Sequence, residues 1–93
     1  MHETKEGEGT LKTLTPPQTS CRVAFRFEIF PRIVRKPGFP TVSAHSDSRG
    51  TVRALDGTEL QEGVYQLDAD DGEILRMSNV GLGTWVILSP GGF

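Results

Sequence analysis

The sequence predicts an all-β fold: a small antiparallel barrel or compact two-sheet sandwich of six or seven short strands, preceded by a disordered N-terminal arm. Three observations carry this. Val23, Phe25, Phe27 and Ile29 alternate with Ala24, Arg26 and Glu28, the period of two that a half-buried strand requires. Turn signals punctuate the second half at Asp56-Gly57, Glu62-Gly63, Asp71-Gly72 and Gly81-Leu82-Gly83. No stretch places apolar residues at helical spacing. With 93 residues the chain has room for one domain, expected over residues 21–93, and a small core.

Residues 1–20 consist largely of Glu, Lys, Gly and Thr, with Leu11 and Leu14 the only large apolar side chains after Met1, and they close on Pro16-Pro17. Such a composition predicts a flexible arm whose removal leaves stability little changed. The first strand then runs from Cys21, and Phe30 interrupts its polar side just before Pro31. Proline lacks the N–H, so pairing should end there or continue at a sheet edge. Ile33 and Val34 sit among Arg32, Arg35 and Lys36, and Pro37-Gly38-Phe39-Pro40 makes a constrained turn.

Thr41 to Ala44 reads as a weak strand, and Ser46-Asp47-Ser48-Arg49-Gly50 as a loop rich in local hydrogen bonders. Thr51 to Leu55 is expected to meet Thr58 to Leu60 across an Asp56-Gly57 hairpin turn. Val64 to Leu67, Ile74 to Met77 and Trp85 to Leu88 complete the meander. The expected core is Val23, Phe25, Phe27, Ile29, Val52, Leu55, Leu60, either Tyr65 or its neighbours Val64 and Leu67, Leu75, Met77, Trp85 and Ile87.

Charge is divided along the chain. Residues 21–53 carry seven cations against Glu28 and Asp47, whereas residues 54–93 carry seven anions against Arg76 alone, so a formal net charge of −2 conceals opposed halves. Asymmetry of this kind bears on partners. Arg26, Phe30, Arg32, Arg35, Lys36 and Phe39 form the candidate binding set, cations interleaved with aromatic rings. Small barrels use such a face to track phosphates and stack bases. The alternative is that the two halves neutralise each other across strands.

Sharper chemistry finds less support. His45 and Asp47 with Ser46 or Ser48 are the residue types of a hydrolytic triad, but neighbours on one loop rarely converge. Asp68, Asp70, Asp71 and Glu73 around Gly72 depart from calcium-loop spacing. Gly81 and Gly83 lack the helix that a phosphate loop needs. Cys21 has no second cysteine, and two histidines at positions 2 and 45 are too few for a zinc site. Residues 46–50 do not follow the Asp-x-Ser-x-x-Gly spacing of PilZ-type nucleotide-binding barrels, and no family is assigned on them. The expectation is therefore a soluble cytoplasmic protein, not an enzyme, without metal, cofactor or membrane segment. It is read as a small β-barrel module that binds a protein partner or associates weakly with itself. The alternative is a nucleic-acid-binding barrel using the basic stretch 22–53.

Overall fold

The computed structural model describes residues 3–35, 38 and 42–90, with the backbone alone described at 31–35, 42–47 and 89–90. Strands β1 (Glu3–Thr13), β2 (Ser20–Arg35), β3 (Val42–Ala54), β4 (Gly63–Ala69), β5 (Ile74–Gly81) and β6 (Thr84–Pro90) pair antiparallel in the order β1-β2-β3-β6-β5-β4. β4 returns to β1, so the sheet closes as a barrel. Closure leaves the six barrel strands without free edges inside the wall. No helix among the described residues is long and apolar enough to cross a membrane.

The expected disordered arm is corrected. β1 pairs with β2 from Glu3↔Ile29 to Lys12↔Ser20 and with β4 from Gly9↔Ala69 to Thr13↔Tyr65. Composition conceals this strand because two of its inward positions are glycines. A Cβ on Gly9 would lie 2.6 Å from the Asp68 carbonyl oxygen and 2.9 Å from Ala69 Cα, so the backbones of β1 and β4 meet where no side chain fits. Leu11, the next inward residue, is 2 % exposed, while Glu6 and Glu8 face solvent.

The period-two pattern of β2 is realised as expected, with Val23, Phe25 and Phe27 buried and Arg26 exposed. Their side chains meet Val52, Leu67, Leu75, Met77 and Trp85 in one core, with Ile29, Leu60, Tyr65 and Ile87 at its margin. The Tyr65 and Trp85 rings lie 5.3 Å apart. Leu11, Ala54 and Ala69 join this core without having been expected there, and Leu55 is exposed instead of buried. Of the alternatives on β4, Leu67 is buried, Tyr65 packs at the margin and Val64 is exposed. Leu55 follows Ala54, which is buried opposite Val23, so alternation turns it outward. Gly50 pairs with Phe27, and a Cβ there would sit 2.1 Å from the Arg26 carbonyl oxygen and 2.6 Å from Phe27 Cδ1.

Asp56-Gly57 turns the chain without making the expected hairpin. The Gly57 N–H donates to the Ala54 carbonyl at 3.1 Å, and Asp56 Oδ1 accepts the Thr58 N–H at 2.9 Å. Thr58 to Leu60 then crosses one end of the barrel and pairs with no strand. Buried Asn79 pins this crossing: its Nδ2 donates to the Leu60 and Gln61 carbonyls at 3.0 and 3.2 Å, and its Oδ1 accepts the Gly81 N–H. Such a connection has to span β6 and β5 to reach β4, and side-chain donors replace the ladder that a hairpin would have supplied. Asp71-Gly72 does make its hairpin, and Leu82 and Gly83, at φ 56° and 73°, form the β5–β6 turn.

Ser46 to Gly50, expected as a loop, continues β3. From Phe30↔Asp47 to Arg35↔Val42, β2 and β3 pair with each other and, among the described residues, with no other strand. This two-stranded ribbon projects from the barrel. The molecule measures 50 × 28 × 28 Å, and its radius of gyration of 14.8 Å exceeds the ~12 Å of a compact chain of this length. Pro31 lies within the ribbon, on the edge-strand alternative that its missing N–H allows.

Phe27→Ala is expected to cost ~3–5 kcal/mol in urea denaturation, because the ring is fully buried. Gly50→Ala should cost about 3 kcal/mol by forcing the backbones of β2 and β3 apart. Deleting residues 3–13 should abolish the cooperative transition altogether; a variant that still unfolds cooperatively at an unchanged midpoint would place β1 outside the folding unit.

Candidate functional site

The opposed charges meet on the barrel wall around β1, because β1 lies between β2 of the basic half and β4 of the acidic half. Arg22 grips Asp70 through both terminal nitrogens at 2.8 and 2.6 Å and reaches the Thr10 hydroxyl at 3.3 Å. Lys12 pairs with Asp68 at 2.6 Å, and Gln66 donates to the other oxygen of that carboxylate at 2.8 Å. Lys5 bridges Asp71 and Glu73 on the β4–β5 turn. Arg26 lies between Glu6 at 3.2 Å and Glu28 at 3.0 Å, and the second oxygen of Glu28 accepts from the Thr4 hydroxyl.

These contacts set the titration of the face. Hydrogen bonds from Arg22 hold Asp70 below the usual carboxylate range, and those from Lys12 and then Gln66 do the same for Asp68. Asp71 is lowered by the Glu73 N–H and then by Lys5, whose own ammonium is raised chiefly by Glu73. Burial, with the Asp56 charge behind it, pushes the Cys21 thiol up, away from the thiolate a nucleophile needs.

The expected binding set is thus divided. Arg26 is on this neutralised wall. Phe30 sits at the base of the ribbon, 44 % exposed. Arg32 and Arg35 belong to the ribbon, in register with His45 and Val42; their side chains, and all of Lys36 and Phe39, lie outside the described residues. The side chains of His45, Ser46 and Asp47 lie outside them too. Ser48 is structural: its hydroxyl accepts the Ile87 N–H at 2.6 Å and donates to the Ile87 carbonyl at 3.4 Å.

That contact marks the seam of the barrel. β3 and β6 share one ladder pair, Gly50↔Trp85, and next to it the Ser48 hydroxyl stands in for backbone. Beyond Ser48 the two strands part. Phe30, Val80, Val86 and Ile87 line the groove that opens there together with the charged residues Glu28 and Arg49, about 690 Å³ in volume. Arg49 and Arg53, on the outer side of β3, form no ion pair among the described residues. Arg49, Val80 and Val86 are absent from the binding set expected from sequence, although strand alternation from Trp85 places Val86 outward. Among the described residues no three His, Cys, Asp or Glu side chains are grouped to hold a metal ion.

Compared with known protein families, curated proteins and solved structures, the chain matches none.

The carboxylate pairs generate a pH prediction. A carboxylate whose folded pKa is depressed contributes stability that is present above its unfolded pKa and lost as pH falls through the folded value. Urea midpoints should hold from neutrality to about pH 5 and then decline as Asp68, Asp70 and Asp71 protonate. Asp70→Asn should decline less steeply over that acid range; an acid limb identical to that of the parent would show that the Arg22 pair contributes nothing.

Proposed function

We propose that this protein is a non-enzymatic small β-barrel interaction module that binds a protein partner or, more weakly, a second copy of itself. The single observation that carries the reading is the projecting β2–β3 ribbon. A two-stranded hairpin is marginally stable by itself in water, so a ribbon standing clear of its barrel is a costly element unless something packs on it. Its open edges and mixed apolar and polar sequence suit an extended segment of another protein. The wall cations support the same reading, since Lys5, Lys12, Arg22 and Arg26 are already matched by carboxylates and offer little net charge to a phosphate backbone.

The alternative is nucleic-acid binding through Arg32, Arg35 and Lys36 with Phe30 and Phe39, and the ribbon favours it in one respect: a two-stranded β-ribbon fits the major groove of DNA. Localisation in the cytoplasm belongs to the proposal in either form, resting on the single cysteine, Cys21, which suits a reducing compartment.

Joining Phe30 to Asp47 through Asn-Gly, in place of residues 31–46, removes the ribbon and leaves the barrel register intact. With a partner captured by the full chain, identified and purified, this variant should keep its β-type circular dichroism and lose binding. Retained partner affinity would remove the ribbon from the interface. Titration with a single-stranded oligonucleotide and a DNA duplex at about 0.15 M salt tests the alternative. Micromolar binding that disappears on changing Arg32, Arg35 and Lys36 together to Ala would replace the protein-binding reading.

A further inference from the structure

The groove where β3 leaves β6 combines three features not required by the barrel. The first is backbone. Ile87 directs both its N–H and its C=O across the seam to Ser48, and alternation along an antiparallel strand sends the groups of every second residue to the same side. Gly50 faces β6 in the one ladder pair of the seam, so Ser46 and Ala44 turn their backbone groups toward the side from which β6 has departed. No strand among the described residues pairs with them there. An unpaired row of this kind is a template for a further strand.

The second feature is an apolar floor. Val80 is 55 % and Phe30 44 % exposed, and Val86 and Ile87 lie between them on β6, only partly covered. The third is charge. Glu28, on the same wall, has its carboxylate oxygens engaged by Arg26 and the Thr4 hydroxyl, whereas Arg49 beside it forms no ion pair among the described residues. Glu28 also lines the groove and stands across the ladder from Arg49, so the groove carries one charge of each sign, with the Arg49 guanidinium left open to a further carboxylate.

We propose that this groove receives an extended segment of a partner protein, added as a strand to the outer edge of β3, with an apolar side chain on Val80 and Val86 and a carboxylate on Arg49. The proposal rests on the protein-binding reading and specifies its site and the chemistry of its occupant. A second copy is a poorer occupant, because in the acidic half Asp68, Asp70, Asp71 and Glu73 are already held by Lys12, Arg22 and Lys5 within each molecule, and Asp56, Glu59 and Glu62 lie between β3 and β4, in no strand that could be added to an edge.

The test uses the full chain, labelled with nitrogen-15, and two synthetic peptides, acetyl-Glu-Val-Thr-Val-Glu-Val-amide and its counterpart with Lys in place of Glu. The Glu peptide should shift the amides of Ala44, Ser46, Arg49 and Val86 saturably and slow hydrogen exchange at Ala44 and Ser46. Arg49→Glu should weaken it by about tenfold and reverse the preference toward the Lys peptide. Val86→Lys, on an outer wall position, should weaken both peptides without altering the unfolding midpoint. Shifts located elsewhere, no shifts, or an Arg49→Glu variant with unchanged preference would overturn the proposal. Concentration-dependent shifts of the same amides without peptide would overturn it in favour of a second copy as occupant. If a purified partner binds the Arg49→Glu and Val86→Lys variants normally but not the ribbon-shortened chain, the groove proposal falls while the protein-binding reading stands. If an oligonucleotide alone shifts these amides, both fall.

Discussion

The close approach of β1 to β4 at Gly9 is the contact on which the rest of the barrel depends. With Cβ positions excluded by the Asp68 carbonyl and Ala69, the two backbones can pair from Gly9↔Ala69 onward. This joins the β1–β2–β3 meander to the β4–β5–β6 meander along one side. Leu11 enters the core in the next inward position, and the crossing loop between β3 and β4 then needs only to cap one end, where Asn79 holds it. A side chain at position 9 would separate the halves and leave both with an open edge.

The same juxtaposition disposes of the charge asymmetry. Lys5 and Lys12 lie on β1 itself, and Arg22 reaches across from β2, so all three meet carboxylates of the second half at the β4–β5 end of the wall. Exposed pairs of this kind contribute little individually to stability. Their effect is on the surface potential: the wall around β1 is made nearly neutral, and among the described residues Arg49 and Arg53 on β3 are cations outside any ion pair.

Strand alternation is legible wherever inward residues are large. Phe25, Phe27, Met77 and Trp85 identify their strands and faces from sequence, and Asp71-Gly72 and Gly81-Leu82-Gly83 identify their turns. β1 is illegible because Gly7 and Gly9 remove the apolar signal from the inward face and leave Leu11 as its one large apolar residue among Glu, Lys and Thr. Asp56-Gly57 misleads in another way, since its local geometry is the same whether the chain beyond it folds back or crosses the barrel. Ser46 to Gly50 has the composition of a loop and the conformation of a strand because β2 supplies a continuous partner as far as the ribbon. The exposed aromatic Phe30 is legible as a surface residue; the groove beside it is not, because it arises from the parting of β3 and β6, two strands far apart in sequence.

The seam at Ser48 has a topological consequence. Every other junction in the wall is a ladder of several residue pairs, whereas β3 and β6 are held by Gly50↔Trp85 and one hydroxyl group. Cutting the cylinder there would break none of the pairings between consecutive strands and would leave β1 paired with both of its neighbours. The product is a curved open sheet in the order β3-β2-β1-β4-β5-β6, with the two strands of the seam at its extremities. The seam is thus the line of fewest backbone pairings in the cylinder, where a side-chain hydroxyl and the shared core of Val52 and Trp85 supplement the ladder.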